Sequence, residues 1–188
     1  MVNGPHADAA ATLRAWHPAA AEQESLRQAF LAYLAAREDA CLRECAPGHV
    51  TASAVVLDHT GGFVLLTLHP RVGRWLQLGG HCERTDSSLA GAAHREAEEE
   101  SGIAGLRIDP EPVHLDVHPI TCSLGVPTRH LDVRFACHAP AGAEPARSSE
   151  SADLRWWPVR ELPESSDDLV PLITAAAGLG EPNVTSVP

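Results

Sequence analysis

Lysine is absent from this 188-residue chain: all 14 basic residues are arginine, set against 25 acids and a formal net charge of -11. An acidic chain with scattered arginines lacks the basic patch expected of a duplex nucleic-acid binder, which argues against that class. Nowhere do about 18 apolar residues run together, so no membrane span is expected. The N-terminus has no basic segment followed by an apolar stretch, which argues against a signal peptide. Five cysteines, an odd number, fit reduced thiols in a cytoplasm better than a disulfide framework. Internal repeats are missing as well. These absences leave one domain with modest extensions, long enough to build a good core. Arginine and alanine richness without lysine is associated with GC-rich coding, and a bacterial source is expected.

What is present centres on Gly79 to Ile103, GGHCERTDSSLAGAAHREAEEESGI. A Gly-Gly turn follows an apolar run, then a short polar loop. Asp86 and the two serines after it suit a helix N-terminus, and Gly102 suits the left-handed residue that ends one. Alanine and glutamate dominate between them, which predicts a helix of about four turns. At 100° per residue, Leu89, Ala92 and Ala93 share a stripe that Glu96 and Glu100 continue; Glu99 flanks it and Glu98 points nearly opposite. A Glu-Glu-Glu run alone is usually a solvated face. Here an apolar stripe ends in carboxylates, whose mutual repulsion and desolvation call for a cation among them. Oxygen ligands suit hard divalent ions, Mg²⁺ or Mn²⁺.

The run Arg95-Glu96-Ala97-Glu98-Glu99-Glu100-Ser101-Gly102-Ile103 resembles the second half of the Nudix hydrolase signature, Gx5Ex7REUxEExGU. The first half departs from it. Counting from Gly80, the family's acid falls on Asp86, and eight residues rather than seven precede Arg95. One extra residue at the loop–helix junction explains this, and Asp86 is assigned to the helix N-cap. Asp86→Asn is accordingly expected to keep most activity. The likeness spans roughly residues 50–163. It implies an α/β (α+β) fold, a Nudix-type α/β/α sandwich with a mixed β-sheet.

The expected domain layout is an N-terminal helical extension over 1–47, a Nudix domain over 48–180 and a disordered tail over 181–188. Residues 1–18 read as a loose or short helical lead. Leu26, Phe30, Leu34 and Ala35 give residues 20–44 an apolar helical stripe, suited to packing on the domain or on a second subunit; a homodimer through this helix is expected. Cys41, Cys45 and His49 invite comparison with a zinc site, but no fourth ligand is obvious and buried inert thiols are the simpler assignment. Strands are expected over 50–57, 63–68, 74–78, 106–108, 113–118 (ended by Pro119), 130–138 and 153–159, and a closing helix over 169–179. His114, Asp116 and His118 alternate with apolar residues, as do His130, Asp132, Arg134 and His138. Antiparallel pairing of those strands would gather four histidines, two aspartates and an arginine on one face. That face is either a solvated side of the sheet, a substrate floor with Arg134 for phosphate or Asp132 for metal, or a separate His/Asp metal centre.

The resemblance implies hydrolysis of a nucleoside diphosphate linked to another group X, a small-molecule substrate, with Mg²⁺ or Mn²⁺ bound by Glu96, Glu99 and Glu100 and by the Gly80 carbonyl. Arg95 would orient Glu96 by a charge-assisted hydrogen bond, and Glu96, or a carboxylate from a later loop such as Glu150, would serve as base. Two alternatives remain. One is a non-catalytic Nudix domain that senses a nucleotide. The other is an enzyme like isopentenyl diphosphate isomerase, whose cysteine precedes a Gly-His, whereas Cys82 follows Gly80-His81.

Overall fold

The computed structural model describes residues 4–70, 72–121, 125–149, 151–164 and 166–178. Two helices open the chain, α1 (Pro5–Ala15) and α2 (Ala21–Ala36). Four strands follow, β1 (His49–Leu57), β2 (Phe63–His69), β3 (Arg74–Leu76) and β4 (Leu78–His81). Helix α3 (Leu89–Ser101) leads to β5 (Arg107–Thr121), β6 (Pro127–His138) and β7 (Asp153–Pro158). A single 3-10 turn, Asp167–Leu169, enters α4 (Val170–Ala176). The proposed tail over 181–188 and Glu150 lie outside the described residues.

All nine residues of β1 are buried, as a strand covered on both faces requires. It runs parallel to β6 from His49↔His130 to Leu57↔His138. Its other edge is shared: Thr51–Ala54 pair with β4, while Val56 and Leu57 pair with β2. The sheet order is β3-β2-β1-β6-β5, with β4 added on β1 and β7 on β2, and it is mixed as expected. Val50, Ala52, Ala54 and Val56 face a core with α1, α2 and α3. Val55 and Leu57 face a second core closed by Leu169, Leu172 and Ile173. Helices therefore lie on both sides of the sheet, the α/β/α sandwich.

The N-terminal region holds two helices: the short helical lead is α1, and α2 ends well before residue 44. Pro5 starts α1 at a position where its missing N–H costs nothing. Helix α2 stops at Ala36 because the chain then turns Ala40 and Cys41 into the core, where the Val50 N–H donates to the Ala40 carbonyl at 2.7 Å. Leu13, Trp16, Phe30 and Leu34 are buried in the same core as α3, while Leu26 of the α2 stripe is half-buried and Ala35 is exposed.

Two side chains fasten these helices to the domain. Asp8 Oδ2 accepts from the Leu89 N–H at 2.7 Å, satisfying a free donor in the first turn of α3. Gln23 of α2 bonds both backbone groups of Leu115, accepting from its N–H at 2.7 Å and donating to its carbonyl at 3.2 Å. Asp8→Ala should therefore cost about 1 kcal/mol in urea unfolding, the usual value of a lost cap.

Strand β5 is one element of 15 residues where two short strands were expected, and Pro119 does not end it. Its register shifts between Ile108 and His114, around Pro112. It is an edge strand with bulges, where prolines do not break a ladder.

Candidate active site

Gly79 and Gly80, read from the sequence as a turn, lie instead within β4, paired with Ser53 and Ala52, and face α3. Gly79 has φ 147, and a Cβ there would lie 2.5 Å from Ser53 Cα, so only glycine lets β4 approach β1. A Cβ on Gly80 would lie 2.7 Å from the Glu96 carboxyl carbon. The Glu96 carboxylate thus fills the space that glycine leaves. Glu100 Oε2 accepts from the Gly79 N–H at 3.2 Å. Glu99 sits further out and accepts from Arg95 Nη1 at 3.3 Å, the same nitrogen that reaches Glu96 at 3.0 Å. Glu98 lies instead 3.8 Å from His94 Nδ1, on the side the helical wheel assigns it. Small Ala92, Ala93 and Ala97 on the buried face bring the helix close to the sheet.

Arg95 is the hub of the loop before α3. Its Nε and Nη2 donate to the two oxygens of Asp86 at 3.2 and 3.0 Å, and Nη2 also donates to the His81 carbonyl at 3.1 Å. Asp86 is only 8% exposed in its side chain and also accepts from the Glu83 N–H at 2.7 Å. The N-cap is Ser88, whose Oγ accepts from the Gly91 N–H at 3.0 Å. This corrects the assignment of Asp86 as the cap: it anchors Arg95 and, through it, Glu96. Asp86→Asn should now lower activity about tenfold and stability by about 1–2 kcal/mol, since a two-pronged charged pair becomes a neutral one. Steady-state rates and urea midpoints would check it; wild-type values for both would return Asp86 to a minor role.

On the other face of β4, strands β5 and β6 pair antiparallel with His114↔Arg134, Asp116↔Asp132 and His118↔His130. Asp132 is 1% exposed and accepts from Thr51 Oγ1, Ser53 Oγ, Gln77 Nε2 and Arg134 Nε, at 2.8–3.1 Å. Burial pushes its carboxyl up, but Arg134 and the hydroxyls more than reverse this, leaving it below the usual carboxylate range. Arg134, 6% exposed, also donates to Asp116 at 3.0 Å, and Asp116 accepts from His118 Nδ1 at 2.8 Å. Asp132 and Arg134, offered on one reading of this face for metal or for phosphate, are buried and bonded to each other. Thr51, Ser53 and Gln77 were missed. Alternation along β1, with His49, Thr51 and Ser53 against Val50, Ala52 and Ala54, was the signal that could have found the first two.

Residues 47–174 match the family model described as the NUDIX domain. The chain belongs to the NUDIX family. A hydrolase of the NUDIX family from Clostridium perfringens is 23% identical, covering 70% of this chain and 97% of its own, with a TM-score of 0.58. An Ap4A hydrolase from C. elegans is 16% identical, covering 69% and 95%, with a TM-score of 0.53. A MutT protein from Methanosarcina mazei Go1 is 18% identical, covering 69% and 94%, also at 0.53. At these identities the likeness is one of fold. No curated protein matches the chain.

Other groups in this Nudix hydrolase stand apart from the glutamates. Cys82 is 6% exposed and burial pushes its thiol up, the state of a core cysteine rather than a reactive one. Burial pushes Cys41 up to about 12, and Cys45 is fully buried against the Tyr33 hydroxyl at 3.3 Å. His49 Nδ1 lies 3.4 Å from the Cys45 carbonyl oxygen. A cavity of about 300 Å³ lies beyond the far end of β1, lined by Asp58, Phe63, Ala139 and Trp156 among others, and includes none of the box residues.

Proposed function

We propose that this Nudix hydrolase cleaves the pyrophosphate bond of a nucleoside diphosphate linked to another group, using Mg²⁺ or Mn²⁺. The supporting observation is the convergence of Glu96 and Glu100 on the Gly79–Gly80 segment of β4, with Glu99 beside them. Arg95 bonds Asp86, Glu96 and Glu99, and the Gly79 N–H holds Glu100 beside them. This group of hard oxygen donors, beside a cradle that a Cβ would fill, fits a hard divalent cation held by Glu96, Glu99, Glu100 and the Gly80 carbonyl. Such an ion, when bound, offsets the charge of the diphosphate and lowers the pKa of a water.

The chain's own residues supply the rest. Asp86 and the His81 carbonyl fix Arg95, and Arg95 fixes the Glu96 carboxylate. Glu96 is then oriented to accept a proton from an attacking water. The Gly79 N–H holds Glu100 toward the same segment. The buried Asp132–Arg134 pair stiffens the strands beneath and is proposed as a platform rather than a substrate contact.

A panel of nucleoside diphosphate derivatives, dinucleoside polyphosphates and nucleoside triphosphates, assayed with Mg²⁺ and with Mn²⁺ for phosphate or diphosphate release, tests this function. Turnover of at least one with divalent metal, abolished by chelator, is expected. Binding without turnover would point to a sensor, and proton exchange into isopentenyl diphosphate without phosphate release would point to an isomerase.

A further inference from the structure

Three histidines that share no sequence motif meet on the polar face of the sheet. His49 begins β1 and its register partner is His130 of β6. His81 ends β4 and pairs with Thr51, two residues along β1 from His49. Alternation points all three side chains to the face of Thr51, Ser53 and Asp132. One ligand nitrogen from each lies within 4.8 Å of the other two. The Nε2 atoms of His49 and His81 are 3.1 Å apart. Two imidazole nitrogens on one tetrahedral zinc ion, each at about 2.0–2.1 Å, stand about 3.3 Å apart, so this pair already has the spacing of ligands.

The Nε2 atoms of His49 and His81 share one proton in a hydrogen bond, which a bound cation would displace. His49 Nδ1 faces the Cys45 carbonyl, to which only a protonated Nδ1 can donate, and this leaves the His49 Nε2 lone pair directed at His81. A backbone carbonyl behind a ring is the usual outer partner of a metal-bound histidine. His130 Nε2 is buried with no hydrogen-bond partner among the described residues, which costs free energy that a bound cation would recover. His118 stacks edge-on against His130 at 5.3 Å between centroids, on the more open side of the group.

We propose that His49, His81 and His130 form a binding site for a borderline divalent transition metal such as Zn²⁺, distinct from the glutamates of α3. Three neutral imidazoles without a carboxylate select Zn²⁺, Co²⁺ or Ni²⁺ over Mg²⁺, which prefers oxygen. The site touches the box directly, because the His81 carbonyl accepts from Arg95 Nη2. Its existence does not rest on the pyrophosphatase function.

The test uses the full chain, stripped with chelator and titrated with Co²⁺ in excess Mg²⁺, and reads visible absorption and calorimetric stoichiometry. One Co²⁺ per chain is expected, with the absorption of a nitrogen-rich, low-coordinate site. His81→Gln and His130→Gln should each weaken it about 10²-fold or more, since even outer partners are worth 10–100-fold. Glu100→Gln should leave it unchanged. Circular dichroism checks folding, and if His130→Gln is unfolded then His81→Gln, on the short outer strand, decides alone. No Co²⁺ absorption, equal affinity in the histidine variants, or loss in Glu100→Gln would each overturn the proposal.

Discussion

Glu100→Gln is expected to slow hydrolysis by about 10²-fold or more while leaving the metal-free protein as stable as wild type. The rate loss follows if the carboxylate helps hold a cation worth several kcal/mol of transition-state stabilisation, because about 1.4 kcal/mol is tenfold. Stability should not fall, for two reasons. A glutamine carbonyl can still accept from the Gly79 N–H, and removing one charge relieves repulsion with Glu96 and Glu99. Glu98→Gln, beside His94 on the other side of the helix, should change neither property. Initial rates at saturating Mg²⁺ and thermal melts in chelator separate the two variants. Equal rates for both would mean that the acids of α3 are a solvated surface.

The second large effect is on stability. Asp132→Asn should cost about 3–5 kcal/mol, the range for breaking a buried ion pair from one side. Asparagine removes the charge opposite Arg134 and places an NH₂ among groups that all donate: Thr51, Ser53, Gln77 and Arg134. Asp116→Asn is the control. Asp116 also pairs with Arg134 but is 36% exposed in its side chain, so water can replace part of what is lost. Urea midpoints should fall much further for Asp132→Asn, and the reverse order would sink the buried-pair account. The same pair sets an acid limit. The folded-state pKa of Asp132 is depressed, so its contribution is full above the unfolded value of about 3.9 and is lost as pH falls below it.

Local features were legible and long-range ones were not. The orientation of Glu96, Glu98, Glu99 and Glu100 follows from helical spacing alone, and Ser88 and Gly102 bracket α3 as capping chemistry requires. Alternation also placed His114, Asp116, Asp132 and Arg134 on one face, given the antiparallel pairing that β5 and β6 adopt. Exposure was misjudged, because that face is partly roofed and Arg134 is spent on carboxylates. Asp86 was misassigned because an acid near a helix start has a ready local explanation, whereas its partner Arg95 is nine residues on. The prolines of β5 read as breaks until its edge position was known. His49, His81 and His130 meet only because β1 lies between β4 and β6, a pairing that no window along the chain reveals.

The hydrogen bonds from Asp8 and Gln23 bear on where this protein could be divided. A fragment beginning at residue 47 would retain the whole family match. It would also uncover the Leu89 N–H and the edge N–H and carbonyl of Leu115, which α1 and α2 now bind. An open strand beside apolar surface recruits other chains, so such a fragment should self-associate in the test tube. The matched segment and the packed core of this chain do not coincide: α1 and α2, outside the match, form one wall of that core.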